Sequence, residues 1–232
     1  MRDLRDRYID KVVKGKAFAD IGGLWGTVNE KVSMAHVCGA SSLTMIDISP
    51  PESELWSLFE NRRRTLRLPE VHCMSSDVLV LAESSPCPQF DVVHCSGILY
   101  HIPDPIRFLV ALRKITRGHL VLTSVVTATR VESEQGTLEL PQASALFIPA
   151  LQKKERAILK SYWQRFVGDD AIGLTREAVS WQPRDFAPWW WLPTVEALKM
   201  MCMAAGFDCQ EGGYTWNDNA YVQLLAGRAE QT

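Results

Sequence analysis

The feature that most constrains the fold is a short apolar strand, close to the start of the chain, that ends in an acidic residue and a glycine-rich turn. Within Lys16–Gly26, KAFADIGGLWG, the run Ala17–Ile21 is typical of a buried strand in a parallel sheet. The acid is Asp20, and a helix is predicted to begin in Asn29–Cys38 with its free amides facing the turn. The glycines, which let the backbone turn sharply and approach a ligand, are Gly22, Gly23 and Gly26. The segment predicts a nucleotide-type pocket.

This glycine pattern does not identify the ligand by itself. No Gly-Lys-Ser/Thr follows it, so it is not a phosphate-binding loop of the Walker type. It also lacks the dinucleotide fingerprint, because Leu24 stands where the middle glycine would be. A turn whose glycines serve only packing is the alternative interpretation, and three further segments in the expected order weigh against it.

These three segments each bring a polar group to the end of a predicted strand. Leu43–Ile48 is an apolar strand that ends in Asp47, about twenty residues after the glycine turn, where nucleotide folds bind a ribose diol. Val71–Val80 contains Ser75–Val78, which brings a polar group to the position expected beside an adenine ring. The last segment, FDVVHCSGILYHIPDP, predicts a strand ending near His94, a tight turn, and a helix that opens with Pro105.

Together the four segments resemble the class I S-adenosylmethionine-dependent methyltransferases, from Ala17 to about Ser124 and more weakly from Thr194 to Gly227. FDVVHCSGILYHIPDP is close to the fourth motif of that family, and DIGGLWG resembles the first. The first motif departs from the family pattern at Gly23, usually cysteine or alanine, and at Leu24, usually glycine. The resemblance implies an α/β fold: a Rossmann-like, doubly wound, seven-stranded sheet, mostly parallel with one antiparallel strand. The cofactor would lie across the carboxyl ends of the first strands.

The resemblance also implies the cofactor, S-adenosylmethionine, with S-adenosylhomocysteine as product, and the residues that bind it. The residues implied around the methionine moiety are Asp20, Gly22, Gly23 and Gly26. Those implied around the adenosine are Asp47 at the ribose hydroxyls, Ile48 and Val78 against the adenine, and Asp77 at its amino group. Those implied beneath the sulfonium are Cys95 and Ser96.

The chain is expected to divide into a cofactor-binding core over residues 1–126, an insertion over 127–193, and a last helix and strands over 194–232. Thr194–Ala205 predicts that helix, with Thr194 as N-cap and Gly206 as stop. Phe207–Tyr214 and Ala220–Gly227 predict the last two strands. The insertion is far longer than an ordinary connection, and its amphipathic and aromatic segments predict a helical lid over the methyl group. A cap that only shields the sheet is the alternative.

Aromatic residues beside this lid are the candidate substrate-binding groups. They are Tyr100, Trp189, Trp190 and Trp191. Three consecutive tryptophans cannot all face one core in a regular element, so at least one is a candidate to line a ligand cleft. His101 is the candidate general base, with a turn-capping role as the alternative. No residues have metal-ligand spacing, so no metal is expected.

Composition favours one compact cytoplasmic domain. The 232 residues carry a net charge of −2 and 47% hydrophobic residues, and no apolar run is long enough to span a membrane. The six cysteines form no Cys-x-x-Cys pair, which indicates reduced thiols. The small net charge argues against electrostatic binding of nucleic acid. The densest basic cluster, Arg62–Arg64, is interpreted as a solvated helix end.

The acceptor is therefore predicted to be a small molecule methylated on oxygen or nitrogen, such as a sugar or a secondary metabolite. The alternative is tRNA, because WWWLPTVEAL at Trp189–Leu198 and AAGF at Ala204–Phe207 look like the corresponding stretch of the tRNA wobble-uridine (carboxy)methyltransferase group. A non-catalytic partner protein that keeps the fold is the alternative of another class. The oligomeric state is left open by the sequence.

Overall fold

The computed structural model describes residues 3–25, 30–167, 173–174 and 188–228, and its centre is a single mixed sheet. In chain order, the described strands are β1 (Ala17–Ile21), β2 (Ser42–Asp47), β3 (His72–Ser75), β4 (Phe90–Ser96), β5 (Thr116–Val125), β6 (Arg130–Ser133), β7 (Gly136–Glu139), β8 (Ala145–Phe147), β9 (Trp191–Pro193), β10 (Phe207–Thr215) and β11 (Ala220–Gly227). The described helices are α1 (Leu4–Val12), α2 (Val32–Val37), α3 (Glu54–Thr65), α4 (Val78–Glu83), α5 (Pro105–Ile115), α6 (Lys153–Trp163) and α7 (Val195–Ala204). None of these helices is long and apolar enough to cross a membrane.

The central sheet has seven strands in the order β10-β11-β5-β4-β1-β2-β3. Strand β11 runs antiparallel to both of its neighbours, and the pairs among β1 to β5 are parallel. The predicted doubly wound sheet with one antiparallel strand is thus confirmed. The chain order reverses between β1 and β4, so a crevice opens at their carboxyl ends, where open α/β sheets bind ligands.

Both faces of this sheet are covered by helices, because the strands send alternate side chains to opposite faces. Phe18 and Val92 point into the core shared with α1, α2 and α3. Ala19 and Val93, the next residues along, point into the core shared with α4, α5 and α7. Burial of both strand faces explains why Ala17–Ile21 carries an almost continuous apolar run.

Helix α1 is an element that the sequence reading did not predict. Asp3 caps its first turn by accepting a hydrogen bond from the backbone N–H of Asp6, at 3.0 Å. Tyr8, Ile9 and Val12 form its buried face and pack on the sheet. This narrow apolar stripe among charged residues is enough to seat the helix beside the carboxyl edge of β4.

The structure fixes where the third and fourth strands end. Within the segment Val71–Val80 the strand ends at Ser75, and Asp77 then caps α4. The fourth continues past His94 to Ser96, because it stays paired with β5 as far as Thr123. The carboxyl ends of these two strands lie at the same edge of the sheet.

The insertion packs against the carboxyl edge of the sheet and has its own apolar core. Its described part contains α6 and also two short strand pairs, β6 with β7 and β8 with β9, which the sequence reading did not predict. The strands are short segments of alternating burial, too brief to produce a clear pattern in the sequence. Trp163 is fully buried there and packs with Val125, the last residue of β5. The insertion is therefore anchored on the carboxyl end of β5.

The predicted N-cap of the last helix is confirmed and supplies a stability test. The Thr194 hydroxyl accepts from the N–H of Ala197 at 3.4 Å and donates to the carbonyl of Gln142 at 2.6 Å. Thr194→Ala is expected to lower the free energy of unfolding by about 1 kcal/mol, because it removes the cap and the tether to the insertion. Thr194→Ser, which keeps the hydroxyl, is the control. Equal urea unfolding midpoints for the two variants would contradict the assignment.

Candidate ligand site at the carboxyl edge

The glycine turn after β1 is built so tightly that side chains are excluded at two positions. Gly22 has φ +73°, a left-handed conformation, and a Cβ there would lie 2.4 Å from Cδ1 of Ile98. A Cβ on Gly23 would lie 2.5 Å from Oδ2 of Asp20. Leu24 is fully buried in the core with α1 and α2, so its side chain points away from the edge. At Gly22 and Gly23 the turn therefore presents backbone, not side chains.

Asp20 fixes this turn through buried hydrogen bonds. It is fully buried, and its Oδ2 accepts the backbone N–H of Lys31 at 2.7 Å. Its Oδ1 lies 2.7 Å from Nδ1 of His94 on the neighbouring strand. Because a carboxylate only accepts, Nδ1 carries the proton of the imidazole. Asp20 thus connects the strand, the following helix and β4, rather than standing open to a ligand.

His94, on β4, is the buried partner of Asp20. Its residue exposure is 3%, and its Nε2 is buried with no hydrogen-bond partner within the described part of the chain. Thr123, on the adjacent strand β5, also has a buried hydroxyl without a partner among the described residues. Two buried polar groups without a described partner therefore lie on neighbouring strands near the carboxyl edge.

The predicted adenosine residues lie at the ends of β2 and β3. Asp47 ends β2, and its Oδ1 accepts from the backbone N–H and the hydroxyl of Ser49, at 2.9 and 2.7 Å. Ile48 follows with 37% of its surface exposed. Asp77 caps α4 by accepting from the N–H of Leu79 at 2.8 Å, and Val78 is buried. The structure brings these residues to one edge, beside the glycine turn.

Cys95 and Ser96 end β4 at the centre of the edge. Cys95 is fully buried, and burial raises the pKa of its thiol well above the ordinary range, so it stays protonated. Cys95 pairs with Ile21, the last residue of β1. The Ser96 hydroxyl accepts from Nη1 of Arg5 at 3.3 Å. A cation of α1 thereby reaches the predicted floor of the site.

Helix α1 brings a charged cluster that sequence reasoning missed. Lys31 is 6% exposed, and its Nζ lies 2.7 Å from Asp6 and 3.2 Å from Asp3. Burial raises the pKa of Asp3, but hydrogen bonds and charge from Arg5 and Lys31 outweigh it and hold that pKa well below its usual range. The signal available in the sequence was only Asp-x-Arg-Asp near the start of the chain, at positions 3–6.

His101 lies in the short helical turn Leu99–His101, between β4 and the insertion. Its Nδ1 lies 3.0 Å from the carbonyl oxygen of Pro188, and since a carbonyl only accepts, Nδ1 is the donor. The second nitrogen, Nε2, makes no hydrogen bond to any residue that the structure describes. The ring of Tyr100 lies beside that of His101, tilted by 43° with the centroids 4.2 Å apart, and burial raises the Tyr100 pKa to about 12.

The three tryptophans follow Pro188 and anchor the insertion on the loop after β4 that carries His101. Trp189 is 4% exposed and packs against Tyr100 and Trp163, at ring distances of 5.3 and 4.9 Å. The backbone N–H of Trp190 donates to the carbonyl of Tyr100 at 2.8 Å. The indole of Trp191 donates to the carbonyl of Pro103 at 2.9 Å. The side chains of Trp189 and Trp191 and the backbone of Trp190 therefore anchor the insertion, and contact of these residues with a substrate stays a prediction.

Not every predicted residue falls in the described part of the chain. Gly26 lies outside it, as do Asn29 and two aromatic residues of the predicted insertion, Trp181 and Phe186. Across the ranges that the structure does describe, no three His, Cys, Asp or Glu side chains are grouped to hold a metal ion. The described part of the site consists of the backbone turn, the strand-end carboxylates and the loop around His101.

The Asp20–His94 pair gives a stability test. His94→Ala is expected to lower the free energy of unfolding by about 3 kcal/mol, because it leaves a buried carboxylate without its partner. His94→Gln keeps an N–H donor and should lose less, and His72→Ala, at an exposed position, should lose little. Urea denaturation measures the three. Similar midpoints for His94→Ala and His72→Ala would contradict the pairing.

The surroundings of His101 predict its titration. Burial lowers its pKa below the ordinary 6.5, and the opposing effect of the Pro188 carbonyl is smaller. The neutral ring, with Nε2 free to accept a proton, is therefore expected to persist as pH falls through 6.5. An NMR titration of the ring protons, assigned with His101→Asn, measures this. A midpoint above 6.5 would contradict the burial argument.

Several solved structures share this fold. Magnesium protoporphyrin IX methyltransferase from Synechocystis PCC 6803, crystallised with S-adenosylhomocysteine, is 16% identical over 97% of this chain and 81% of its own, with a TM-score of 0.56. The 1,6-didemethyltoxoflavin-N1-methyltransferase of Burkholderia thailandensis is 11% identical over 97% and 79%, with a TM-score of 0.56. A SAM-dependent methyltransferase from Aquifex aeolicus is 11% identical over 96% and 89%, with a TM-score of 0.53.

At these identities the structures show a shared fold, and the sequence itself supplies the family. No curated protein matches the chain. A family model described as a methyltransferase domain matches residues 1–211, well over half of the sequence. The resemblance drawn from the strand-end motifs is thereby confirmed: the chain belongs to the methyltransferase domain family.

Proposed function

We propose that this protein transfers the methyl group of S-adenosylmethionine to a small-molecule acceptor. The observation that carries the proposal is the alignment, at one edge of the sheet, of the glycine turn after β1 with the carboxylate of Asp47 at the end of β2. A backbone turn without side chains suits the close approach of a ligand, and a strand-end carboxylate suits a ribose diol.

The residues present fit this cofactor. Oδ1 of Asp47 is held by Ser49, which leaves Oδ2 without a partner among the described residues and able to accept from a ribose hydroxyl. Ile48, partly exposed, offers an apolar surface for the adenine. Asp20 keeps the glycine turn in place from beneath. S-adenosylmethionine, when bound, supplies an electrophilic methyl carbon, so the protein needs mainly to orient an acceptor and exclude water.

His101 is positioned to take a proton from an acceptor hydroxyl. Its Nδ1–H is committed to Pro188, so the neutral ring has its lone pair on Nε2. Burial favours that neutral form. A hydroxyl acceptor needs such a base, whereas an amine that is already neutral does not. For this reason we favour oxygen over nitrogen as the methylated atom, with a sugar or a secondary metabolite as the acceptor.

The surface charges support a small acceptor over tRNA. The densest basic cluster, Arg62–Arg64, is paired internally: Arg62 with Glu30, and Arg63 and Arg64 both with Glu60. Hydrogen bonds from these two arginines lower the pKa of Glu60 to about 2, so that carboxylate remains charged. Such pairs offer little uncompensated charge to a phosphate backbone. Two structural neighbours, magnesium protoporphyrin IX methyltransferase and 1,6-didemethyltoxoflavin-N1-methyltransferase, are likewise named for small-molecule acceptors.

Calorimetric titration of the intact protein with S-adenosylhomocysteine tests the cofactor, with NAD as the comparison ligand. Binding of S-adenosylhomocysteine alone supports the proposal, and binding of NAD alone overturns it. Incubation with methyl-labelled S-adenosylmethionine and a panel of hydroxylated small molecules then tests the acceptor. Transfer to tRNA, with binding that weakens steeply as salt is raised, would replace the small-molecule acceptor by a nucleic acid.

Asp47 is the sharpest test of how the cofactor is held. Asp47→Ala is expected to weaken S-adenosylhomocysteine binding about tenfold or more, because it removes the acceptor for the ribose hydroxyls. Asp208→Ala, at an exposed position on β10, is the matched control and should bind like the parent. Equal affinities for Asp47→Ala and the parent, in protein shown by circular dichroism to be folded, would exclude this mode of binding.

A further inference from the structure

The two ends of the insertion lie close together, so contacts farther along it must set its orientation over the sheet. The backbone N–H of Thr127, at its start, donates to the carbonyl of Pro193, at its end, at 2.8 Å. Hydrogen bonds near this end, at Pro188, Trp190 and Trp191, attach the later part of the insertion to the loop after β4. Helix α6 lies in the earlier part of the insertion and meets the rest of the molecule elsewhere.

Asn219, between β10 and β11, is where α6 is attached. The residue is 1% exposed, and its Oδ1 accepts from the hydroxyl of Tyr162, in the last turn of α6, at 2.8 Å. Its backbone carbonyl accepts from the N–H of Val126, directly after β5, at 2.9 Å. Asn219 thus joins the insertion to the sheet, at the carboxyl end of β5.

The turn that leads to Asn219 is strained. The φ angles of Trp216, Asn217 and Asp218 are 51°, 53° and 63°, which makes three left-handed residues in succession. Asparagine and aspartate tolerate this conformation, but a tryptophan rarely adopts it. The side-chain amide of Asn219 donates to the carbonyls of Trp216 and Asn217, at 3.4 and 3.0 Å. One buried side chain therefore both closes the turn and bonds to α6.

Trp216 packs on the insertion as well, which helps to hold the turn in this conformation. Its ring lies 5.5 Å from that of Trp163, which is fully buried. Trp163 in turn contacts Trp189, whose ring lies 5.3 Å from Tyr100, the neighbour of His101. A continuous row of aromatic rings therefore connects the turn with the loop that carries the candidate base. Strained conformations persist where the surrounding contacts impose them, and they cluster at functional sites.

We propose that Asn219 is a positioning residue for the acceptor side of the site, and that through Tyr162 it fixes the insertion in the position that covers His101. The proposal rests on the proposed function, in which His101 takes a proton from the acceptor. His101 is partly buried and meets the insertion at the carbonyl of Pro188. A shift of the insertion therefore changes both the hydrogen bond of the imidazole and its exposure to water.

Tyr162→Phe tests the proposal with a small change, because it removes the hydroxyl and keeps the ring that packs on Trp163 and Phe166. Burial lowers the pKa of His101, so displacement of the insertion is expected to raise the midpoint of its NMR titration toward 6.5. Faster hydrogen exchange of the α6 amides is expected too. Tyr214→Phe, at an exposed position on β10, is the matched control and should behave like the parent.

Asn219→Ala removes both the bond to α6 and the closure of the turn, so a larger rise of the His101 midpoint is expected. Equal His101 midpoints for Tyr162→Phe and Tyr214→Phe would overturn the proposal. Faster exchange in α6 with an unchanged His101 midpoint would overturn it as well, because Asn219 would then hold the helix alone.

Calorimetry with S-adenosylhomocysteine separates this proposal from the proposed function. Tyr162→Phe is expected to bind S-adenosylhomocysteine like the parent, because the bond that it removes lies on the acceptor side. A large loss of affinity in this variant would overturn the positioning role, since the change would then reach the whole site. If the parent itself binds no S-adenosylhomocysteine, the proposed function fails, whereas the titrations of His101 still measure how Asn219 holds the insertion.

Discussion

The carboxylate of Asp20 accepts hydrogen bonds from two directions, the imidazole of His94 on β4 and the backbone N–H of Lys31 before α2. Both contacts are buried, so their loss would leave a charged group without partners in the interior. Together they fix the end of β1 relative to β4 and to the next helix. The left-handed Gly22, the closely packed Gly23 and the crevice at the carboxyl edge all depend on this arrangement.

Other parts of the molecule bring further chemistry to the edge so defined. Helix α1 places Arg5 against Ser96, and Lys31 fastens that helix to the segment that Asp20 holds. The insertion reaches the same edge through hydrogen bonds from Trp190 and Trp191 to the loop that carries His101. The nucleoside side and the acceptor side of the proposed site are thus supported by different parts of the chain, the central sheet and the insertion.

Much of this architecture was predictable from the sequence, because buried strands leave an unmistakable apolar run. Ala17–Ile21 was located correctly, and the seven-stranded sheet was implied by the family resemblance that the motifs carry. Helix α1 was missed because its few apolar residues are scattered among charges. The Asp20–His94 pair joins residues 74 positions apart, and only the pairing of β1 with β4 brings them together. Side-chain contacts that arise from strand order cannot be read from local pattern.

The central claim is that adenosine and its attached thioether bind at the carboxyl edge between the glycine turn and Asp47. A crystal structure of the intact protein with S-adenosylhomocysteine tests it most directly. The predicted result places both ribose hydroxyls within about 3 Å of the Asp47 carboxylate. A nucleoside bound elsewhere, for example in the cavity lined by Arg113 and Gly206 beside the other end of the sheet, would contradict the claim.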